Sequence, residues 1–267
     1  MHALKRQFDQ GDGEFRLAMK VAVQLWSLRQ QIFADSRRAL ALVKGMGFDY
    51  VELAGTGSQT PSEFANVISD AGIRVIGTHQ PPLTLGNLTQ LVDEMTAHCN
   101  IFQCKLATVM SHPLHSGTQD YYIRFSELFL SAAQALEQEQ IDLCFHIYLR
   151  DLVTISESGQ SGLEILVQET NTKLRLQPDI YFIHRSGKTL PEIQPILSKR
   201  CPTAHINDID ERNSQVALGS GVIDWPRTVS GLRDVGVEWL ILEHDSLDAI
   251  SWLSQSKKVL DQTIEGL

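Results

Sequence analysis

Residues 174–208 read LRLQPDIYFIHRSGKTLPEIQPILSKRCPTAHIND, and they contain the pattern of one strand, one helix and a second strand. An apolar, alternating run ends at Pro178-Asp179, residues 189–199 have the apolar spacing of a helix, and residues 202–206 form a short run that contains His205. A parallel barrel collects its active-site residues from the C-terminal ends of several strands. We therefore expect Asp179 and His205 to face one pocket.

Ionisable residues also follow two other apolar runs. Phe145-His146 precedes the central stretch, and Glu243-His244-Asp245 comes after it. Successive strand ends are separated by roughly the 30 residues of one strand-helix-strand step. Four strands are therefore expected to supply one ionisable side chain each.

The same alternation extends along most of the chain and predicts an α/β fold, a (β/α)8 TIM barrel. An open Rossmann-like sheet is the runner-up, but Gly55-Thr56-Gly57 follows the second strand and lacks the third glycine of a dinucleotide-binding loop. The predicted strands are residues 20–26, 49–53, 73–78, 105–110, 141–147, 174–179, 202–206 and 239–243, and the predicted helices are residues 35–44, 60–71, 83–98, 119–138, 162–169, 189–199, 224–234 and 247–260.

Composition narrows the classes of partner. The 267 residues are 43% hydrophobic, and no apolar segment approaches the roughly 20 residues that span a bilayer. The net charge of −9 repels nucleic acid and anionic membranes, so a small-molecule partner is favoured. The N-terminus lacks the apolar stretch of a secretory signal, and four scattered cysteines indicate reduced thiols rather than a zinc cluster or disulfides. We expect a cytoplasmic protein. Its oligomeric state stays open, with a homo-oligomer as one alternative.

The first 18 residues differ from the rest. They are polar, include the turn Gly11-Asp12-Gly13, and precede the regular pattern. We predict a flexible N-terminal arm over residues 1–18, or an element added outside the barrel, and a single barrel domain over residues 19–267.

Six short motifs, in order, resemble the sugar phosphate isomerase/epimerase family, whose members are xylose isomerase-like TIM barrels. The resemblance extends over nearly the whole chain from Lys20, and Glu52 stands in the place of a recurrent glutamate of that family. The motifs are VAVQLWSLR (21–29), FDYVELAG (48–55), GIRVIGTH (72–79), DIYFIHRSG (179–187), AHINDID (204–210) and LILEHD (240–245), with LGSGVIDW (218–225) similar to the family's glycine turn.

The resemblance implies one divalent metal ion on Asp179, His205 and Glu243. For the fourth ligand it implies His146, with Asp151 as the alternative. Singly, Asp179 could cap a turn and His205 could be a core histidine. Together with Glu243 they favour a cation, because carboxylates crowded at a barrel mouth are costly without one. Oxygen and imidazole ligands suit Mn, Mg, Co or Zn.

The implied reaction is isomerisation or epimerisation of a sugar, sugar phosphate or cyclitol, through removal of a proton next to a carbonyl. Glu243 would be ligand and base, with Asp151 or a water as the opposing acid–base group. Residues expected to bind substrate are His79, His112, Tyr148 and Asp208, the last of which could instead be structural. Gly219-Ser220-Gly221 could hold a phosphate or form a plain turn.

Several polar positions differ from the family pattern. The chain has Ile147, Tyr148, Phe182, Asn207 and Ser220 where the resemblance leads us to expect other residues, and these changes bear on substrate and catalysis rather than fold. Alternatives are therefore a sugar-binding barrel without turnover and a dehydratase of the inosose type, which begins with the same proton abstraction. A DNA-repair nuclease on the same barrel would need a basic surface, which the acidic composition does not favour.

Overall fold

Eight parallel strands form one sheet in the computed structural model, which describes residues 19–114, 117–157, 159–246 and 249–267. The predicted arm, residues 1–18, lies outside the described residues. The strands of the sheet are β1 (Lys20–Gln24), β2 (Tyr50–Leu53), β3 (Arg74–His79), β4 (Leu106–Met110), β5 (Asp142–His146), β6 (Arg175–Gln177), β7 (Thr203–Ile206) and β10 (Trp239–Leu242), and a short antiparallel pair joins β8 (Asp208–Ile209) to β9 (Gln215–Val216).

Helices follow the strands and form the outer layer of the barrel. Apolar side chains of both layers make one continuous core, in which Phe64, Tyr122 and Leu240 are fully buried. Among the residues described, no helix has the length and hydropathy of a membrane span. The helices are α1 (Arg29–Gly45), α2 (Pro61–Asp70), α3 (Leu88–Phe102), α4 (Gln119–Gln138), α5 (Gly162–Thr170), α6 (Ile180–Arg185), α7 (Leu190–Leu197), α8 (Trp225–Asp234) and α9 (Ala249–Glu265).

The sheet closes into a barrel between β6 and β7. Its strand order is β6-β5-β4-β3-β2-β1-β10-β7, so the two end strands must meet to close it. His205 N donates to Pro178 O over 2.9 Å, Leu176 N donates to Arg200 O over 2.8 Å, and Asp179 pairs with His205 as a parallel bridge. The predicted TIM barrel is confirmed, and its seam passes through two of the predicted ligands.

Local capping explains most helix starts that the sequence predicts. Thr60 caps α2 in a capping box with Glu63, and Pro61 occupies the first helical position. Residues 35–44 are helical as predicted, but α1 already begins at Arg29. Asp35 interrupts it with non-helical φ and ψ, and its carboxylate accepts from Arg38 N as an internal cap. The predicted start at residue 35 is therefore a second start within α1.

Helices α3 and α6 also depart from the prediction, and α9 extends five residues past its predicted end at residue 260. Helix α3 begins at Leu88, not at residue 83, because Asn87 closes a turn on the preceding loop through Thr84 N and Pro82 O. It extends to Phe102, where Gln103 takes a left-handed conformation with φ 54° and ends the helix. Helix α6 was not predicted, since its six residues are too few to show helical periodicity.

Candidate functional site

Three buried side chains from neighbouring strands meet at the C-terminal end of the barrel. His146 ends β5, Asp179 follows β6, and His205 lies in β7. One ligand atom of each lies within 4.8 Å of the other two, and His146 Nε2 is 3.9 Å from Asp179 Oδ2. This buried His/Asp/His triad could bind a metal ion.

His146 is oriented by Gln177. Its Nδ1 lies 2.8 Å from Gln177 Oε1, and because an amide oxygen only accepts, Nδ1 must carry the proton. The lone pair of Nε2 is then directed to the side where Asp179 lies. Burial holds the pKa of His146 well below its ordinary value, and the nearby His205 and His79 lower it further. His146 is therefore a neutral imidazole, the form that binds metal ions.

His205 is held between two carboxylates. Its Nε2 lies 2.8 Å from Glu52 Oε2, and its Nδ1 lies 2.8 Å from Glu243 Oε2. Nδ1 is nevertheless buried without a hydrogen bond of acceptable geometry. Burial lowers the pKa of His205, but the charges of Glu52 and Glu243 outweigh burial and hold the pKa well above its ordinary value.

Glu52 supports His205 from inside the barrel. It is fully buried, and it accepts hydrogen bonds from Gln24 Nε2 over 2.6 Å and from Gln177 Nε2 over 2.7 Å. Burial opposes its ionisation, but the charge and hydrogen bond of His205 prevail, and the pKa of Glu52 is lowered. The sequence pointed to Glu52 only through the family resemblance. A local signal that could also have identified it is a carboxylate inside an otherwise apolar strand, YVEL.

The two carboxylate oxygens of Asp179 have different surroundings. Its Oδ1 accepts from Tyr181 N over 2.8 Å and from Phe182 N over 3.3 Å and so caps α6. Its Oδ2 faces His146, 3.9 Å from His146 Nε2. Burial, opposed by His205 and reinforced by Glu243, raises the pKa of Asp179 to about 7. One oxygen is structural and the other belongs to the triad.

The donor set meets the requirements of a divalent metal. His146 and His205 each direct a proton-bearing nitrogen to a fixed acceptor, which leaves the other nitrogen on the triad side. Such hydrogen bonds from ligating histidines to outer acceptors are a regular feature of metal sites. His205 Nδ1 is buried without a hydrogen bond of acceptable geometry, and a cation bound there would displace the proton that Glu52 and Glu243 favour on this ring. The residues present therefore fit the ion that the sequence implied.

A cavity of about 370 Å³ opens beside the triad. Glu243 follows β10, and its side chain is 20% exposed, whereas His205 and Asp179 are almost fully buried. This volume is in the range of small-ligand pockets. Of the predicted site residues, the cavity wall includes His79, His146, Tyr148, His205 and Glu243.

His79 and Tyr148, which the sequence predicts to bind substrate, adjoin the triad. The ring centroid of His79 lies 5.2 Å from that of His146 and 6.3 Å from that of His205. The Tyr148 ring lies 4.6 Å from His146 and packs against Phe182. Burial lowers the pKa of His79 and raises that of Tyr148. Both are uncharged hydrogen-bonding groups at the cavity.

Asp151 and His112 are not brought to the cavity wall. Asp151 is buried behind it, where Oδ1 accepts from Tyr122 OH over 2.6 Å and Oδ2 accepts from Tyr148 N over 2.7 Å. These bonds hold the turn after β5, so Asp151 positions Tyr148 and does not join the triad. His112 is half-buried in the loop after β4, and its Nδ1 accepts from Leu114 N.

Asp208 lies away from the cavity as well. Its carboxylate accepts backbone hydrogen bonds from Gly219 and Gly221, and it accepts from Trp225 Nε1 over 2.9 Å. Asp208 is fully buried. Its position agrees with the structural role that the sequence left open for it as the alternative to substrate binding.

The arrangement defines a TIM barrel with a charged pocket at the C-terminal ends of its strands. A family model described as "Xylose isomerase-like TIM barrel" matches residues 40–265, and the chain belongs to that family. A comparison with curated protein sequences found no significant match.

Solved structures share the fold at low sequence identity. A sugar phosphate isomerase/epimerase from Parabacteroides distasonis superposes with a TM-score of 0.79 at 16% identity, covering 95% of this chain and 98% of that one. A probable 3-DHS dehydratase, AsbF of Bacillus anthracis, gives 0.73 at 16% identity with 91% and 99% covered. The IolI protein, whose structure has a bound zinc atom, gives 0.72 at 14% identity with 93% and 99% covered.

Proposed function

We propose that the protein is a divalent-metal-dependent isomerase or epimerase of a sugar or cyclitol, acting by proton abstraction next to a carbonyl. The observation that supports this most strongly is the triad with its fixed acceptors, open to a cavity that also contains Glu243. His146, Asp179, His205 and Glu243 would hold the ion. A bound divalent cation would supply electrophilic stabilisation of the negative charge that develops on the substrate oxygens.

Glu243 is the residue we assign to proton transfer. Its side chain is more exposed than that of any other member of the group, and Oε2 lies 2.8 Å from His205 Nδ1. A carboxylate held beside the substrate can take the proton from one carbon and return it to the neighbouring carbon on the same face, whereas epimerisation needs a second proton donor on the opposite face. General acid–base groups of this kind contribute roughly 100- to 10,000-fold in rate.

The remaining cavity residues would orient the substrate. His79 and Tyr148 are uncharged and line the wall, so they can exchange hydrogen bonds with hydroxyl groups. Both oxygens of Asp151 are already bonded to Tyr122 and Tyr148. Of the two opposing acid–base groups considered from the sequence, we therefore retain a water molecule.

Metal content tests the proposal first. Purified, untagged protein refilled with Mn should hold close to one equivalent, and Asp179→Ala and His205→Ala should each lose it, measured by elemental analysis. Gln80→Leu is the matched control, because Gln80 is a buried cavity residue that bonds Thr78 and His98 and not the triad. Wild-type protein that takes up no Mn would contradict the proposal.

Turnover is tested separately by solvent deuterium exchange into ketoses and keto-cyclitols, which carry a proton next to a carbonyl. Glu243→Gln should abolish exchange while its circular dichroism remains that of the wild type, because the amide cannot accept the substrate proton. Exchange at the wild-type rate in this variant would remove Glu243 from the role of base. Substrate binding without exchange in the wild type would instead support a sugar-binding barrel, the alternative that the replaced motif residues allow.

A further inference from the structure

We infer that the substrate of this pocket is electrically neutral, a free keto-sugar or cyclitol, and not a phosphate ester. This inference rests on the proposed function and narrows its substrate class. Two independent features carry it. One is the glycine loop before α8, and the other is the charge of the cavity wall.

The glycine loop is already occupied by a carboxylate of the chain. Loops near the last strands of a TIM barrel often bind phosphate through backbone N–H groups at a helix N-terminus. Here Gly219 N and Gly221 N both donate to Asp208 Oδ2, over 2.9 and 3.2 Å. Ile223 N lies 3.4 Å from Oδ1, and Trp225 Nε1 donates to Oδ2. The backbone N–H groups that could bind a phosphate therefore already donate to Asp208.

The glycine at residue 221 is explained by the same carboxylate. A Cβ atom there would lie 2.2 Å from Asp208 Oδ1 and 2.3 Å from Ile209 O, well inside van der Waals contact. The small residue lets Asp208 approach the backbone. The glycine is not required for access by a ligand. The Ser220 hydroxyl, between the two glycines, accepts a hydrogen bond from Gln255 Nε2.

No lysine or arginine side chain reaches the cavity wall in the part of the chain that the structure describes, and His205 on that wall is held between Glu52 and Glu243. Arg150, behind Tyr148, donates from Nε and Nη2 to Ser111, and its guanidinium lies 4.3 Å from the Tyr148 ring centroid. Arg29, at the rim beside Trp26, is paired with Asp245 over 2.6 Å. Both arginines are engaged with the protein itself.

Apart from His205, which is paired with two carboxylates, the charged groups that adjoin the cavity are acidic. Glu243 lies on the wall. Asp179 lies beside His146, and Glu52 is hydrogen-bonded to His205. A divalent cation would be balanced by Asp179 and Glu243 alone. A phosphate dianion would therefore be desolvated without a partner, which is strongly unfavourable. Neutral hydroxyl groups, in contrast, match the uncharged His79, Gln80 and Tyr148 on the wall.

Matched pairs of ligands test this inference on the Mn-loaded protein. We would measure binding by calorimetry for D-fructose and its 6-phosphate, D-xylulose and its 5-phosphate, and myo-inositol and its 1-phosphate. Deuterium exchange by NMR would be measured for the two ketose pairs, because only they carry a proton next to a carbonyl. At least one neutral member should bind, and its phosphate ester should bind roughly tenfold or more weakly, because no cation compensates the buried charge. Inorganic phosphate should not compete with the neutral ligand.

Two variants test the glycine loop and the cavity wall separately. Ser220→Glu should leave binding of the neutral ligand unchanged, because Ser220 is an exposed residue of a loop that takes no part in recognition. Met110→Lys, which places a cation on the cavity wall, should improve binding of the phosphate esters. A phosphate ester that binds the wild type as tightly as its neutral partner, or that is lost in Ser220→Glu, would overturn the inference.

The remaining outcomes distinguish this inference from the proposed function. Preferred exchange into a phosphate ester would overturn the neutral substrate while the isomerase proposal stood. Preferred binding of a neutral ligand without exchange would support the neutral class and count against the isomerase. Failure of every neutral ligand to bind would overturn the inference.

Discussion

At the scale of single residues, Gln177 connects the parts of the site. Its amide oxygen faces His146 Nδ1, and its amide nitrogen donates to Glu52 Oε1 and to Thr203 Oγ1 over 2.9 Å. One side chain thus orients both triad histidines, His146 directly and His205 through Glu52. Nothing in the sequence distinguishes Gln177, because a glutamine inside a strand is conspicuous only when its partners are known.

We expect Gln177→Met to weaken Mn binding by about 10- to 100-fold, the usual effect of removing a partner of a ligating histidine. Methionine has a similar length but lacks the amide oxygen that accepts the hydrogen bond from His146 Nδ1. The imidazole would therefore be free to rotate. Titration of Mn followed by electron paramagnetic resonance measures the change. Gln80→Leu is the matched control, and equal affinities in the two variants would exclude a positioning role for Gln177.

His244, next to Glu243, contributes a pH dependence of stability. It is fully buried, and its Nε2 lies 2.9 Å from Ser256 Oγ. Burial, only partly offset by Glu243 and Asp208, lowers the pKa of His244 to about 4. The unfolded chain therefore binds this proton near pH 6.5 and the native protein does not, so native stability falls as the pH drops from about 6.5 toward 4.

From these values, acidification from pH 7 to pH 5 should cost the wild type about 2 kcal/mol more than it costs His244→Gln. The glutamine does not titrate, and the comparison cancels the contributions of all other groups. Urea unfolding of both proteins at the two pH values measures the difference. Parallel losses in the two proteins would show that His244 is protonated in the native state.

At the scale of elements, the contact between α4 and α5 positions the turn after β5. Gly162 begins α5, and a Cβ atom there would lie 2.2 Å from the ring of Tyr122 in α4. Tyr122 in turn donates to Asp151, which accepts from Tyr148 N. A close approach of two helices thus fixes a tyrosine on the cavity wall.

Gly162→Ala should destabilise the protein by about 1–3 kcal/mol, the range for overpacking a filled core, and should also shift Tyr148. Chemical denaturation measures the first effect, and the fluorescence or NMR signal of Tyr148 reports the second. Gly45→Ala near the end of α1 is the control, since a Cβ there meets nothing within 4 Å. Equal stability of the two variants would contradict the packing seen here.

At the scale of the whole molecule, the proposed metal site lies across the barrel's closure. Its residues come from β5, from the segment after β6, from β7 and from the end of β10, and the bridge between Asp179 and His205 is part of the seam. An ion held there would join both ends of the sheet. Metal binding is therefore expected to be linked to the stability of the entire fold.

With free Mn at 100 times its dissociation constant, the free energy of unfolding should rise by about 2.7 kcal/mol. Thermal unfolding with and without Mn measures this as an increase in Tm. The stabilisation should vanish in His205→Ala, since that variant lacks a ligand, and it should persist in Ser62→Ala on the exposed side of α2. An equal increase in His205→Ala would place the ion elsewhere.

The sequence by itself determined the barrel, because the alternation of β-periodic and helix-periodic runs is a local property of the chain. It also placed His146, Asp179, His205 and Glu243 at strand ends, and the parallel sheet necessarily brings strand ends to one face. Only the tertiary structure decided where each of these side chains points and which residues it bonds. Asp151 and Asp208 also lie near strand ends, but their carboxylates turn into Tyr122 and into the glycine loop. Hydrogen bonds between residues distant along the chain decide such orientations, and no local pattern contains them.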